Sequence, residues 1–127
     1  MLEVIMTEGS TRVLAITSDL FFMPKVQAIA QAAGGDFSWI DQPLTPAQFC
    51  AQLAAAPTAL VLLDLGSALP WQGWLAAAQA ETALAAVPWL AYGPHTDAPR
   101  LAAARKAGVH KVVPRSQFAQ ALSEMLS

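Results

Sequence analysis

The stretch Ala59-Leu60-Val61-Leu62-Leu63-Asp64-Leu65-Gly66 decides the fold. Five apolar residues lead into one carboxylate, and a glycine follows two residues later. An apolar run without alternation suits a strand buried on both faces, as in a parallel sheet covered by helices. Pro57 and Thr58 punctuate its start; Gly66 and Pro70 punctuate its end. A carboxylate at the C-terminal end of such a strand lies where open α/β sheets place their ligand crevice.

The neighbouring segments alternate between strand and helix signals. Upstream, Arg12-Val13-Leu14-Ala15-Ile16-Thr17 reads as the first strand, ended by Ser18 and Asp19. Pro24 opens a helix, Val26, Ile29, Ala30 and Ala33 form its apolar stripe, and Gly34-Gly35 closes it. Asp36–Ile40 is a short strand of aromatic and branched residues. Thr45-Pro46 starts the next helix with a hydroxyl cap and a first-turn proline; Phe49, Leu53 and Ala56 face inward, and Pro57 stops it. Downstream, Pro70 opens an alanine-rich helix to about Leu84. Val87–Tyr92 is the fourth strand. Thr96 caps a helix from about Asp97 to Ala107, stopped by Gly108. His110–Val113 is the last strand, and Ser116 caps a final helix with Phe118, Leu122, Met125 and Leu126 inward. The βαβαβαβαβα order implies a parallel sheet with right-handed crossovers and helices on both faces.

The chain has 127 residues, which suits one core. Residues 1–11 read as an N-terminal tail and 12–127 as a single domain. Hydrophobic residues make up 55% and charged residues 13%, against disorder. No apolar stretch reaches the ~18 residues of a membrane-helix candidate. The first residues lack a basic region and carry Glu3 and Glu8, so no signal peptide is expected. Cys50 is the single cysteine, which excludes an internal disulfide and fits a reducing cytoplasm.

The net charge is −2. The basic residues Arg100, Arg105, Lys106, Lys111 and Arg115 gather in the last third. They are few and have no aromatic interleaving, which weighs for a solvated surface and against nucleic acid. His95 and His110 read as surface histidines, and Cys50 as a small buried hydrophobe. Phe21-Phe22-Met23 and the pair Trp71 and Trp74 are core residues or a partner surface; a small domain rarely buries four tryptophans completely.

In "ALVLLDLG" (59–66), "VPWLAYG" (87–93) and "AGVHKVVPRSQF" (107–118), the chain resembles the receiver domain of bacterial response regulators, the chemotaxis-regulator type. The resemblance covers residues 12–127. It implies a three-layer α/β, flavodoxin-like, doubly wound five-stranded parallel sheet of order 2-1-3-4-5. It also implies a phosphorylation site over strands 1 and 3. The phosphoacceptor position falls on Asp64. The acidic pair after strand 1 falls on Thr17 and Ser18, neither a carboxylate; Asp19 lies one residue on and, with Asp64, is the weak option for Mg²⁺. The hydroxyl switch falls on Gly93. The lysine falls on Arg115, a planar fork in place of a compact ammonium.

This pattern implies a pseudo-receiver with the fold kept and the switch dismantled. It is not an enzyme and has no cofactor. Its output is contact with a protein partner, or self-association, through the fourth helix, fifth strand and last helix, where Arg100, Arg105, Lys106 and Lys111 lie. Asp64 then pairs with Arg115 in an inert crevice, a strong bidentate contact. An atypical receiver phosphorylated on Asp64, with Mg²⁺, is the second reading. A small-ligand binder using the room left at Gly93 is the third, against which no loop offers a glycine-rich phosphate cradle. A hydrolase lacks its Gly-x-Ser-x-Gly elbow.

Overall fold

A computed structural model describes residues 12–19 and 21–126. The tail read over residues 1–11 lies outside the described residues. The strands are β1 (Arg12–Ile16), β2 (Asp36–Ile40), β3 (Thr58–Asp64), β4 (Trp89–Gly93) and β5 (Lys111–Pro114). All pair in parallel, in the order β2-β1-β3-β4-β5. The helices are α1 (Met23–Ala32), α2 (Pro46–Ala54), α3 (Trp71–Gln79), α4 (Thr82–Ala85), α5 (Ala98–Ala107) and α6 (Phe118–Leu126). The three-layer, doubly wound α/β architecture expected from the sequence is the one observed. Among the described residues, no helix is long and apolar enough to cross a membrane.

Strand period sorts the core into two layers. Val13, Ala15, Leu60, Leu62, Leu90 and Tyr92 face α1 and α6; Leu14, Ile16, Val61, Leu63, Trp89 and Ala91 face α2, α3 and α5. β3 contributes to both, so its run does not alternate.

The helix starts follow side-chain chemistry. Thr45 and Gln48 form a reciprocal capping box at α2: Gln48 N–H donates to Thr45 Oγ1 at 3.1 Å, and Thr45 N–H to Gln48 Oε1 at 2.8 Å. At α5 the cap is Asp97, which accepts from Arg100 N–H at 3.2 Å, so the expected Thr96 cap is displaced by one residue. A carboxylate there also faces the positive end of the helix. Gly108 closes α5 at φ 105°, a left-handed conformation that favours glycine. At the last helix, a 3₁₀ turn over Arg115–Gln117 takes the place of the Ser116 cap, and α6 begins at Phe118. Met125 and Leu126 are only half-buried there, and Ala33, expected on the apolar stripe of the first helix, is its exposed C-cap.

The alanine-rich helix read through to Leu84 is interrupted. Glu81 is extended, at φ −110° and ψ 118°, and separates α3 from α4. Trp71, Trp74, Leu75 and Ala78 define the inward face of α3. An unbroken helix would turn Leu84 away from that face by about 130°. The break resets the phase, and Leu84 enters the core.

Trp71, Trp74 and Trp89 are buried, which decides for the core between the two readings of Trp71 and Trp74. Only Trp39 is exposed among the tryptophans, at 46%. At the opposite end of the sheet from Asp64, Arg12 ties four elements together. Its guanidinium donates to Thr58 Oγ1 at 2.9 Å and Ser38 Oγ at 3.2 Å, and to the backbone carbonyls of Gln52 and Leu53. Those two carbonyls belong to the last turn of α2, where a cation is favoured.

Cys50 is buried on the inner face of α2. Burial, with the Glu81 carboxylate nearby, pushes its thiol above the usual range. The thiolate is the reactive form, so native protein is expected to resist iodoacetamide at neutral pH and to label only in denaturant. Labelling of native protein as fast as a free thiol would show that this face of α2 opens.

Candidate functional site

Asp64 ends β3, and Thr17 follows β1, its neighbour in the sheet. Both are buried, Asp64 at 8% exposure and Thr17 at 2%. Thr17 Oγ1 donates to Asp64 Oδ2 at 2.8 Å. Gly66 N–H donates to Oδ1 at 2.8 Å. A Cβ at position 66 would lie 3.1 Å from Oδ1, so glycine lets the loop close on the carboxylate. Each carboxylate oxygen therefore holds a donor from the chain itself, which is how a buried carboxylate is satisfied.

The network continues outward from Thr17. Its hydroxyl accepts from Asp19 N–H at 2.9 Å. Asp19 Oδ1 accepts from Phe21 N–H at 3.0 Å, and Asp19 Oδ2 from Arg115 Nη2 at 2.8 Å. The Arg115 guanidinium also lies 4.1 Å from the centre of the Phe22 ring, a cation–π distance. Arg115 thus spends its charge on Asp19 and Phe22. The Asp64–Arg115 pair expected from the sequence is replaced by Asp64–Thr17 and Asp19–Arg115. The reason is local: the loop after β1 delivers both a hydroxyl to Asp64 and a carboxylate to the rim. Ser18, between them, is exposed.

Gly93 sits at the end of β4, beside Pro114 of β5. A Cβ there would meet Leu101 Cδ2 at 3.3 Å and Leu65 Cβ at 3.4 Å. The room expected at this position is therefore filled by two leucines.

Sequence reasoning passed over Tyr92, which pairs in register with Asp64. It packs against Phe118 with ring centres 4.8 Å apart and against Phe22 at 5.9 Å. Its hydroxyl is buried and has no hydrogen-bond partner among the described residues. Burial foremost, and then the Asp64 charge, push the phenol upward, so it stays protonated. Phe22 closes edge-on against Phe118 at 5.2 Å. These three rings roof the face of the sheet beside Asp64. The available signal was position: Tyr92 continues the apolar run Trp89-Leu90-Ala91 of β4, a strand buried throughout.

The four basic residues assigned to a partner face divide into two kinds. Arg100 donates to the Leu65 carbonyl at 3.1 Å and pairs with Asp97 at 3.2 Å. Arg105 donates to the Val112 carbonyl at 3.4 Å. Lys106 and Lys111 are exposed. His95 and His110 are both exposed, as expected, and His110 Nδ1 also accepts from Trp89 N–H at 3.0 Å and so helps seat the start of β4.

No protein-family model matches the sequence, and no curated protein matches it. Solved structures do. A response regulator from Hahella chejuensis superposes with a TM-score of 0.73 at 18% identity, over 92% of each chain. The chemotaxis response regulator CheY4 of Vibrio cholerae gives 0.71 at 14% identity, over 92% of this chain and 96% of that one. A response regulator receiver domain protein from Clostridium thermocellum gives 0.69 at 14%, over 91% and 90%. The chain has the receiver fold, with the strand order that the resemblance implied.

Proposed function

We propose that this receiver-fold chain is a signalling module that acts by contact with another protein and has no working phosphorylation switch. One observation carries the reading. The carboxylate at the phosphoacceptor position is already satisfied by Thr17 and Gly66, while the cation at the lysine position is engaged by Asp19. Donors on both oxygens lower the nucleophilicity of the carboxylate, and the developing phosphoryl charge needs an adjacent cation.

The donor set does not fit Mg²⁺. That ion demands near-octahedral oxygen ligands and usually takes one or two carboxylates. Here Asp64 is capped and Asp19 is ion-paired, and no three His, Cys, Asp or Glu side chains converge among the described residues. Position 93 offers no hydroxyl to report a modification. The module therefore works without cofactor or catalysis, in the cytoplasm, where a reduced Cys50 is at home.

The partner is a protein, met at α5, β5 and α6. Lys106 and Lys111 supply free charge there, and Arg100 and Arg105 stiffen the surface by bonding to its backbone. The test is a titration with Mg²⁺ and beryllofluoride, a mimic of the phosphorylated aspartate, followed by amide NMR. The signals of Gly66, Tyr92 and Arg115 are expected to stay in place, in the natural chain as in Asp64→Ala. Saturable shifts in the natural chain alone would overturn the proposal and make Asp64 a phosphoacceptor.

A further inference from the structure

The two edges of the sheet differ in how they are guarded. β5 carries an exposed Lys111 and ends in Pro114, and lysine and proline are common means of blunting an edge. β2 contains neither, and its register with β1 shows no bulge. Ile40 O accepts from Thr17 N–H at 3.2 Å, so Ile40 turns its backbone groups toward the β1 side. Backbone groups alternate along a strand, and Phe37 and Trp39 therefore turn theirs to the open side. No strand pairs with that side among the described residues. Phe37 and Trp39 also share one face of the strand, with ring centres 5.9 Å apart and planes 28° from parallel, and the indole is half exposed.

We propose that β2 pairs antiparallel with β2 of a second copy of this chain, about a two-fold axis at Ser38. The spacing selects this occupant. Phe37 and Trp39 are equidistant from Ser38, so the two-fold sets Phe37 opposite Trp39 of the partner subunit, and Trp39 opposite the partner's Phe37. Both are pairs in which the open backbone groups face each other, and each such antiparallel pair exchanges two hydrogen bonds. The same register places aromatic against aromatic on one face, the favoured cross-strand combination. It keeps like charges apart: Asp36 lies across from the partner's Ile40, and Asp41 across from the partner's Gly35. An isologous interface needs this self-complementarity, and the motif aromatic–Ser–aromatic has it. The pairing joins two sheets into one and leaves α5, β5 and α6 of both copies free at the far ends.

The test combines sedimentation equilibrium with amide hydrogen exchange on the full chain. The mass is expected to rise with concentration from one chain to two. At concentrations where roughly nine chains in ten are paired, exchange at Phe37 and Trp39 slows by about tenfold, while Ser38, already bonded to β1, is unchanged. Trp39→Lys puts a charge on the edge and is expected to give one chain at every concentration, with the circular dichroism of the natural protein. A single-chain mass throughout overturns the pairing. So does a dimer that survives Trp39→Lys, which would place self-association elsewhere. Protection of Phe37 and Trp39 that does not change with concentration also overturns it, since the edge is then covered within one chain.

Discussion

Trp74→Ala is expected to lower the stability of the fold by about 3–5 kcal/mol, the range for truncating a fully buried large aromatic. Trp74 has no exposed surface. Its ring lies parallel to that of Phe49, with centres 5.0 Å apart and planes 4° from parallel, and Phe49 in turn leans on Trp89 at 5.6 Å. The loss is therefore a cavity at one end of a three-ring column that joins α2, α3 and β4. A hydrogen bond goes with it. Trp74 Nε1 donates to the Leu44 carbonyl at 2.9 Å and so fixes the loop before α2, and an abandoned acceptor adds its own penalty. Domains of this kind have about 5–15 kcal/mol in all, so the variant should sit near its unfolding threshold. Urea titration reads this as a lower midpoint at unchanged slope. A loss below about 1 kcal/mol would mean that the helices collapse into the space.

Gly93→Thr puts at the end of β4 the hydroxyl that the resemblance to receivers implies there, as if to gain a switch. It is expected instead to destabilise the protein by about 1–3 kcal/mol, the usual cost of overpacking. The backbone is not the obstacle, because the glycines with positive φ are Gly34 and Gly108. The obstacle is Leu101 at 3.3 Å and Leu65 at 3.4 Å from the new Cβ. Both are core residues, and the branched side chain must push them back. The hydroxyl then enters an apolar layer without a partner. Urea titration measures the loss, and beryllofluoride with Mg²⁺ measures the function. A stable variant that responds to beryllofluoride would show that position 93 alone had silenced the site.

The two substitutions mark what the sequence could and could not convey. The sheet was legible because its signals are local: an unbroken apolar run at 60–63, a hydroxyl and a proline at Thr45-Pro46, and glycines after α1 and α5. Asp64 was legible for the same reason, as the one charge closing a buried strand. The destination of Arg115 was not. Its side chain chooses between carboxylates 51 and 96 residues away in the sequence, Asp64 and Asp19, and only the fold sets which lies within reach. The filling of the space at Gly93 was hidden likewise, since Leu65 and Leu101 come from different elements. The break at Glu81 was missed because alanine propensity is uniform through it, while the cause is the phase that Leu84 needs.

The uneven burial of the four indoles gives the protein an optical reporter of its own. Trp71, Trp74 and Trp89 are shielded within the fold, and Trp39 alone stands half in solvent at one edge. Iodide, which reaches only exposed rings, therefore reads a single position. A molecule settling on β2 dims that access and shifts the red side of the emission. One arriving at the opposite edge leaves both untouched. The native fluorescence thus tells, without a label, whether the β2 edge is occupied.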